Sequence, residues 1–96
     1  MQTSAEAAAA LLRSLSHPKR LLMLCALSER EHSAGELEEL AGLSQSAVSQ
    51  HLARLRRDGL ATSRRAGQTI IYTLADTNGR EIVETLHRLY CEEPRK

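Results

Sequence analysis

Two thiols stand far apart in this sequence, Cys25 and Cys91, with no CxxC pattern around either. That spacing lacks the signature of a dithiol oxidoreductase. A permanent bridge is not expected in a reducing compartment, which leaves two buried thiols or a reversible redox pair. Cys91 also follows His87 by four residues, so the two share a helical face and form half of a metal site. A surface histidine on a helix is the commoner arrangement for that pattern. No metal or other cofactor is expected.

A second kind of chemistry, hydrogen bonding to base edges, is written into residues 44–57. Val48, Leu52 and Leu55 fall at i, i+4 and i+7 and make one buried stripe. Opposite it lie Gln45, Ser46, Ser49 and Gln50, which are short, polar and able both to donate and to accept. An ordinary solvated helix face more often carries Glu and Lys. A helix that reads DNA puts its N-terminal residues into the major groove. Arginines gather where phosphates would then run: Arg54, Arg56 and Arg57 late in the helix, Arg64 and Arg65 beyond it. The net charge of +1 hides this polarity, because Glu29, Glu31, Glu36, Glu38 and Glu39 crowd the preceding stretch.

The elements that must position these residues are legible too. Ser4–Leu15 is an alanine-rich helix with Leu11, Leu12 and Leu15 apolar. His17-Pro18 interrupts it and opens a second helix reaching about Ser28. After a polar connection, Glu29–His32, Ser33 and Glu36 form a capping-box pair for a short third helix, with Leu37, Leu40 and Ala41 inward and Gly42 at its end. Ser44 caps the fourth helix, and Asp58-Gly59 stops it. Leu60–Arg65 and Gln68–Leu74 read as strands joined at a tip of Ala66-Gly67. A last helix, best started at Asn78 with Glu81, carries Ile82, Val83, Leu86, Leu89 and Tyr90. The expected fold is mainly α with a small β-hairpin, a winged helix-turn-helix (α-α-α-α-β-β-α) spanning residues 1–96 as one domain.

At 96 residues, with Tyr72 and Tyr90 the only aromatics, an aliphatic core is marginal alone, so a homodimer is expected. No apolar run approaches a membrane span or a signal peptide, so the chain is expected in the cytoplasm and off the membrane. No catalytic set has a supporting context, and no enzymatic activity is expected.

The stretch from Leu43-Ser44-Gln45-Ser46 through Asp58-Gly59-Leu60 resembles the recognition segment of the ArsR/SmtB family of bacterial repressors. His17-Pro18-Lys19-Arg20-Leu21-Leu22-Met23-Leu24 and Gly67-Gln68-Thr69-Ile70-Ile71-Tyr72-Thr73-Leu74 resemble that family's second helix and wing strand. The resemblance implies a homodimer built on the first and last helices, bound to a palindromic double-stranded DNA operator. It implies base or backbone contacts for Gln45, Ser46, Ser49 and Gln50. His51, by its phase, packs between helices instead.

Within the family, the metal-sensing patterns fit poorly. The third helix has no cysteine, and only Asp76 and His87 match the zinc type's ligands on the last helix. The two cysteines resemble those of the persulfide-sensing branch, the BigR, SqrR and YgaV type with the similar HlyU. The resemblance implies that Cys25 and Cys91 sense reactive sulfur species, becoming bridged and lowering DNA affinity. A bridge closing about 66 residues would be worth roughly 4 kcal/mol in the chain-entropy picture, enough to drive allosteric coupling of about 1–3 kcal/mol. Cys91, near a helix end with His87 and Arg88 before it, is expected to be reached first, with leucine-flanked Cys25 as its resolving partner. An HlyU-like antirepressor or activator, or a metal-responsive repressor using His87 and Cys91, is the alternative.

Overall fold

His17 and Pro18 set the first corner of the molecule. A computed structural model describes the backbone of residues 2–91 and the side chains of residues 4–90. Helix α1 (Gln2–Leu15) stops before this pair, and α2 (Pro18–Glu29) starts with proline in its first turn. His17 caps α2 by accepting the Lys19 N–H at its Nδ1, 3.1 Å away. The two basic residues after Pro18 then close other helices. Lys19 Nζ donates to the Ala41 carbonyl at 2.6 Å, and Arg20 Nε donates to the Ser14 carbonyl at 2.8 Å. Cations on carbonyls that end a helix suit its dipole. One short motif therefore fixes the ends of α1 and of α3 (Ala34–Ala41).

Helix α3 carries the expected capping box. Ser33 Oγ accepts the Glu36 N–H and Glu36 Oε1 accepts the Ser33 N–H, both at 3.2 Å. The Ser33 amide, ahead of the Arg30 and His32 charges, holds the Glu36 carboxyl below its usual range, against burial. Gly42 ends α3, and α4 (Gln45–Arg57) follows with Ser44 Oγ accepting the Ala47 N–H at 3.1 Å. Beneath them, Met23, Leu24, Leu37, Val48, Leu52, Leu55, Leu60 and Val83 are all buried in one aliphatic core. Leu40 departs from expectation. It is 43% exposed, and the short α3 turns only Leu37 and Ala41 fully inward. Leu12 is likewise exposed, while Leu15 is buried.

The sheet has three strands rather than two. Strand β1 (His32–Ser33) pairs with β3 (Thr69–Leu74), which pairs on its other side with β2 (Ala61–Ala66), all antiparallel in the order β1-β3-β2. Pairing of Ala66 with Thr69 makes the tip Gly67-Gln68, one residue later than the expected Ala66-Gly67. Gly67 has φ +67°, and no non-glycine residue among those described has positive φ. Positive φ only at the first tip position is the sign pattern of a type II′ turn, which matches strand twist.

Helix α5 (Asn78–Leu86) begins at Asn78, but Asn78 is not its cap; Thr77 is. No side chain caps it, because the Thr77 hydroxyl donates to the Gly59 carbonyl at 3.0 Å. Gly79 is buried in the first turn, where a Cβ would overlap Leu60 and press on Leu11. Its missing side chain lets α5 approach both. The last helix is also not continuous. After Leu86 it widens into a π turn, His87–Cys91.

Candidate nucleic-acid interface

Helix α4 stands on its buried stripe of Val48, Leu52 and Leu55 and presents the opposite face outward. Gln45, Ser46, Ser49 and Gln50 are all exposed on that face, which continues through Ala53 to Arg56 and Arg57. The four polar side chains make no hydrogen bond within the described chain, so their donors and acceptors are available to a ligand. None is longer than glutamine, which lets another surface come close.

The five arginines are less alike than their spacing suggested. Arg54 is turned back: its Nε donates to Asp58 Oδ2 at 3.1 Å. Burial opposes ionisation of Asp58, but the Ser14 hydroxyl, Arg54 and Arg57 outweigh it and hold the carboxyl below its ordinary range. The fully buried Ser14 hydroxyl sits near that carboxylate without a hydrogen bond of full geometry. Arg64 is held by Glu31, its Nη2 lying 2.7 and 2.8 Å from the two carboxylate oxygens. Both side chains are about half exposed, so this pair contributes at most about 1 kcal/mol and can re-partner with a phosphate. Arg57 reaches Asp58 only at 3.6 Å and is 71% exposed. Arg56 and Arg65 have no carboxylate partner among the described residues. The wing tip is exposed from Arg64 to Thr69.

His51 lies away from this exposed polar face, against the start of α2. Its ring centroid is 4.6 Å from that of His17, with the planes at 60°. Burial first, then the His17 and Arg20 charges, pushes the His51 imidazole below its usual range. A base held neutral in the folded state adds stability above its unfolded pKa of about 6.5 and loses it as pH falls through the folded value. Thermal melts should therefore show Tm dropping as pH is lowered below about 6.5, with a shallower drop in His51→Gln. Identical profiles for the two proteins would remove His51 from this role.

The thiol region lies toward the other end of α2. Cys25 is buried at 3% exposure in the run Met23–Leu27. The C-terminal end of α2 meets the π turn, where His87 Nε2 lies 2.7 Å from Glu29 Oε2. Glu29 follows Cys25 by one helical turn, so this pair brings His87 into the neighbourhood of Cys25. Cys91 ends the π turn by its backbone, and its side chain lies outside the described residues. Among the described residues no three His, Cys, Asp or Glu side chains converge as a metal site would need. None of the described helices is long and apolar enough to cross a membrane.

Sequence and structure comparisons agree with this fold. Residues 17–63, from the cap of α2 into the wing, match the bacterial regulatory protein, arsR family. The transcriptional activator HlyU of Vibrio cholerae is 48% identical over 92 residues, 96% of this chain and 85% of that protein. The chain belongs to the arsR family. The HTH-type transcriptional regulator YgaV of Escherichia coli is 53% identical over 92 residues, covering 95% of this chain and 93% of its own. Among solved structures, the transcriptional repressor BigR from Xylella fastidiosa superposes with a TM-score of 0.90 at 38% identity, covering 100% of this chain and 95% of that one. Reduced HlyU from Vibrio cholerae gives 0.89 at 48% identity, covering 96% and 97%. This arsR-family chain is therefore a transcriptional regulator with a winged helix-turn-helix fold, and its relatives are DNA-binding regulators.

Proposed function

We propose that this regulator is a homodimeric repressor, not an enzyme, that binds a palindromic operator and releases it when Cys25 and Cys91 are linked by reactive sulfur. The observation that carries the DNA half is the face of α4 on which Gln45, Ser46, Ser49 and Gln50 stand exposed and unpartnered. They contact base edges, and Arg56, Arg57, Arg64 and Arg65 serve the backbone, which Arg54 joins by exchanging its Asp58 partner for a phosphate. Residues 1–96 act as one domain. Leu12 on α1, Ile82 on α5 and Leu89 and Tyr90 in the π turn are exposed apolar side chains suited to a shared dimer surface.

The switch half draws its support from the placement of Cys25 in α2 and of Cys91 on the π turn that packs against α2. The Cys91 thiolate attacks the outer sulfur of a persulfide R–S–SH, forming a Cys91 persulfide and expelling R–S⁻. The Cys25 thiolate then attacks the inner sulfur, closes the S–S bond and expels hydrosulfide. The two protein thiols lose two electrons, and the sulfane sulfur is reduced to sulfide. Buried Cys25 suits the second step better than the first.

Intact-mass spectrometry and gel shifts after polysulfide treatment test this. The wild type is expected to lose two hydrogens, or to gain sulfur between the thiols, and to release its operator. Cys25→Ser and Cys91→Ser are expected to bind DNA and ignore polysulfide. Release that persists in both variants would sink the thiol switch. The activator reading keeps one specific support, the V. cholerae relative described as a transcriptional activator. Reporter expression that falls on deletion of the gene would favour it.

A further inference from the structure

Between the end of α4 and the outer side of the wing runs an open cleft of about 510 Å³, lined by Ala53, Arg56, Arg57, Ala61, Thr62 and Ser63. Its two walls supply different kinds of anion donor. On the helix wall, Arg56 has no carboxylate partner among the described residues and Arg57 only the loose contact with Asp58 at 3.6 Å. Asp58 itself is engaged by Arg54 at 3.1 Å.

On the wing wall the donor is the backbone. Strand β2 is the edge of the sheet. In an antiparallel pair, successive residues turn their N–H and C=O alternately toward the partner strand and away from it. The Ala75 N–H donates to the Leu60 carbonyl at 2.9 Å, which sets the phase. With the register Thr62 to Thr73, Arg64 to Ile71 and Ala66 to Thr69, the even-numbered residues from Leu60 to Ala66 face β3. Ala61, Ser63 and Arg65 turn their backbone outward, and the Ser63 N–H stands outside the ladder at the cleft. The floor is Ala53, one turn beyond Ser49 on the exposed face of α4. A larger side chain there would fill the space.

We propose that this cleft seats one phosphodiester of the DNA backbone, gripped by the Arg56 and Arg57 guanidinium groups and by the Ser63 N–H. The assignment rests on the DNA-binding reading of α4 and extends it to Ser63 and Ala53. A single phosphate held from both walls fixes the angle between the reading helix and the wing. The cleft's openness suits a strand passing through and does not enclose a small anion.

The test uses the full chain on operator and random duplexes across a salt series. Ser63→Pro deletes the donor where the sheet does not use it, as edge strands tolerate. Ala53→Glu puts a carboxylate on the floor at an exposed helical site and carries the test if the proline variant fails to melt cooperatively. Ser63→Ala keeps the N–H. Both disruptive variants are expected to weaken operator and random DNA by equal factors. Ala53→Glu, which sets a carboxylate against the Arg56 and Arg57 guanidinium groups, also lowers the salt slope by about 1; Ser63→Pro, which removes no charge, leaves it unchanged, and Ser63→Ala matches wild type. Undiminished affinity in both, an unchanged salt slope in Ala53→Glu, or loss on the operator alone, would overturn the phosphate seat while leaving the DNA reading intact. A wild type without salt-dependent duplex binding would overturn the DNA reading itself.

Discussion

Leu52→Ala is expected to destabilise the protein by about 2–5 kcal/mol. Leu52 is 1% exposed and lies at the middle of the buried stripe of α4. Truncation removes its transfer energy and leaves a cavity that a close-packed aliphatic core fills poorly. Whole domains of this size are stable by only about 5–15 kcal/mol, so the loss should lower Tm by roughly 10 °C or more. Urea unfolding at fixed protein concentration measures it. The same truncation at Leu40, 43% exposed on the neighbouring helix, should change stability by only about 0.5 kcal/mol. Equal effects at the two sites would mean that α4 is not seated on Leu52. DNA binding should weaken in parallel, because the stripe holds in place the exposed face proposed to read DNA.

Ser49→Ala and Gln50→Ala should leave stability alone and each reduce operator binding, relative to random DNA, by about 1–3 kcal/mol, or roughly 5- to 150-fold. Both side chains are exposed and bond to nothing in the protein, so truncation removes no folded-state contact. Neither carries charge, so the salt slope should stay at its wild-type value. Competition gel shifts at two ionic strengths separate these effects. Undiminished preference for the operator would refute the assignment of base reading to these residues.

The helices and the wing were legible because local chemistry dictates them. Ser33 with Glu36, Ser44 before an i, i+4, i+7 stripe, and proline after His17 each act within one or two turns, and the corresponding helices lie where those signals put them. What escaped depends on contacts between distant residues. Strand β1 is two polar residues whose only strand-like property is pairing with Tyr72 and Ile71. Thr77 gives its hydroxyl to Gly59, eighteen residues back, so Asn78 was the better cap on local grounds alone. Leu40 satisfies the helical period, but α3 is too short to bury every apolar position. The ties of Arg64 to Glu31 and of Lys19 to Ala41 leave no sequence signal at all. The exposed polar face of α4 was readable from spacing, whereas the Ser63 amide depends on strand phase and became visible only in the sheet.

Ser33 belongs at once to β1 and to the cap of α3, while β1 is stitched to β3. The wing is thus not a modular appendage. Grafting a relative's hairpin, residues 61–74 alone, would cut the seam to β1 and split the Arg64–Glu31 pair. For exchanging operator preference between relatives, the natural cassette is residues 32–74, transplanted with Glu31 at its border.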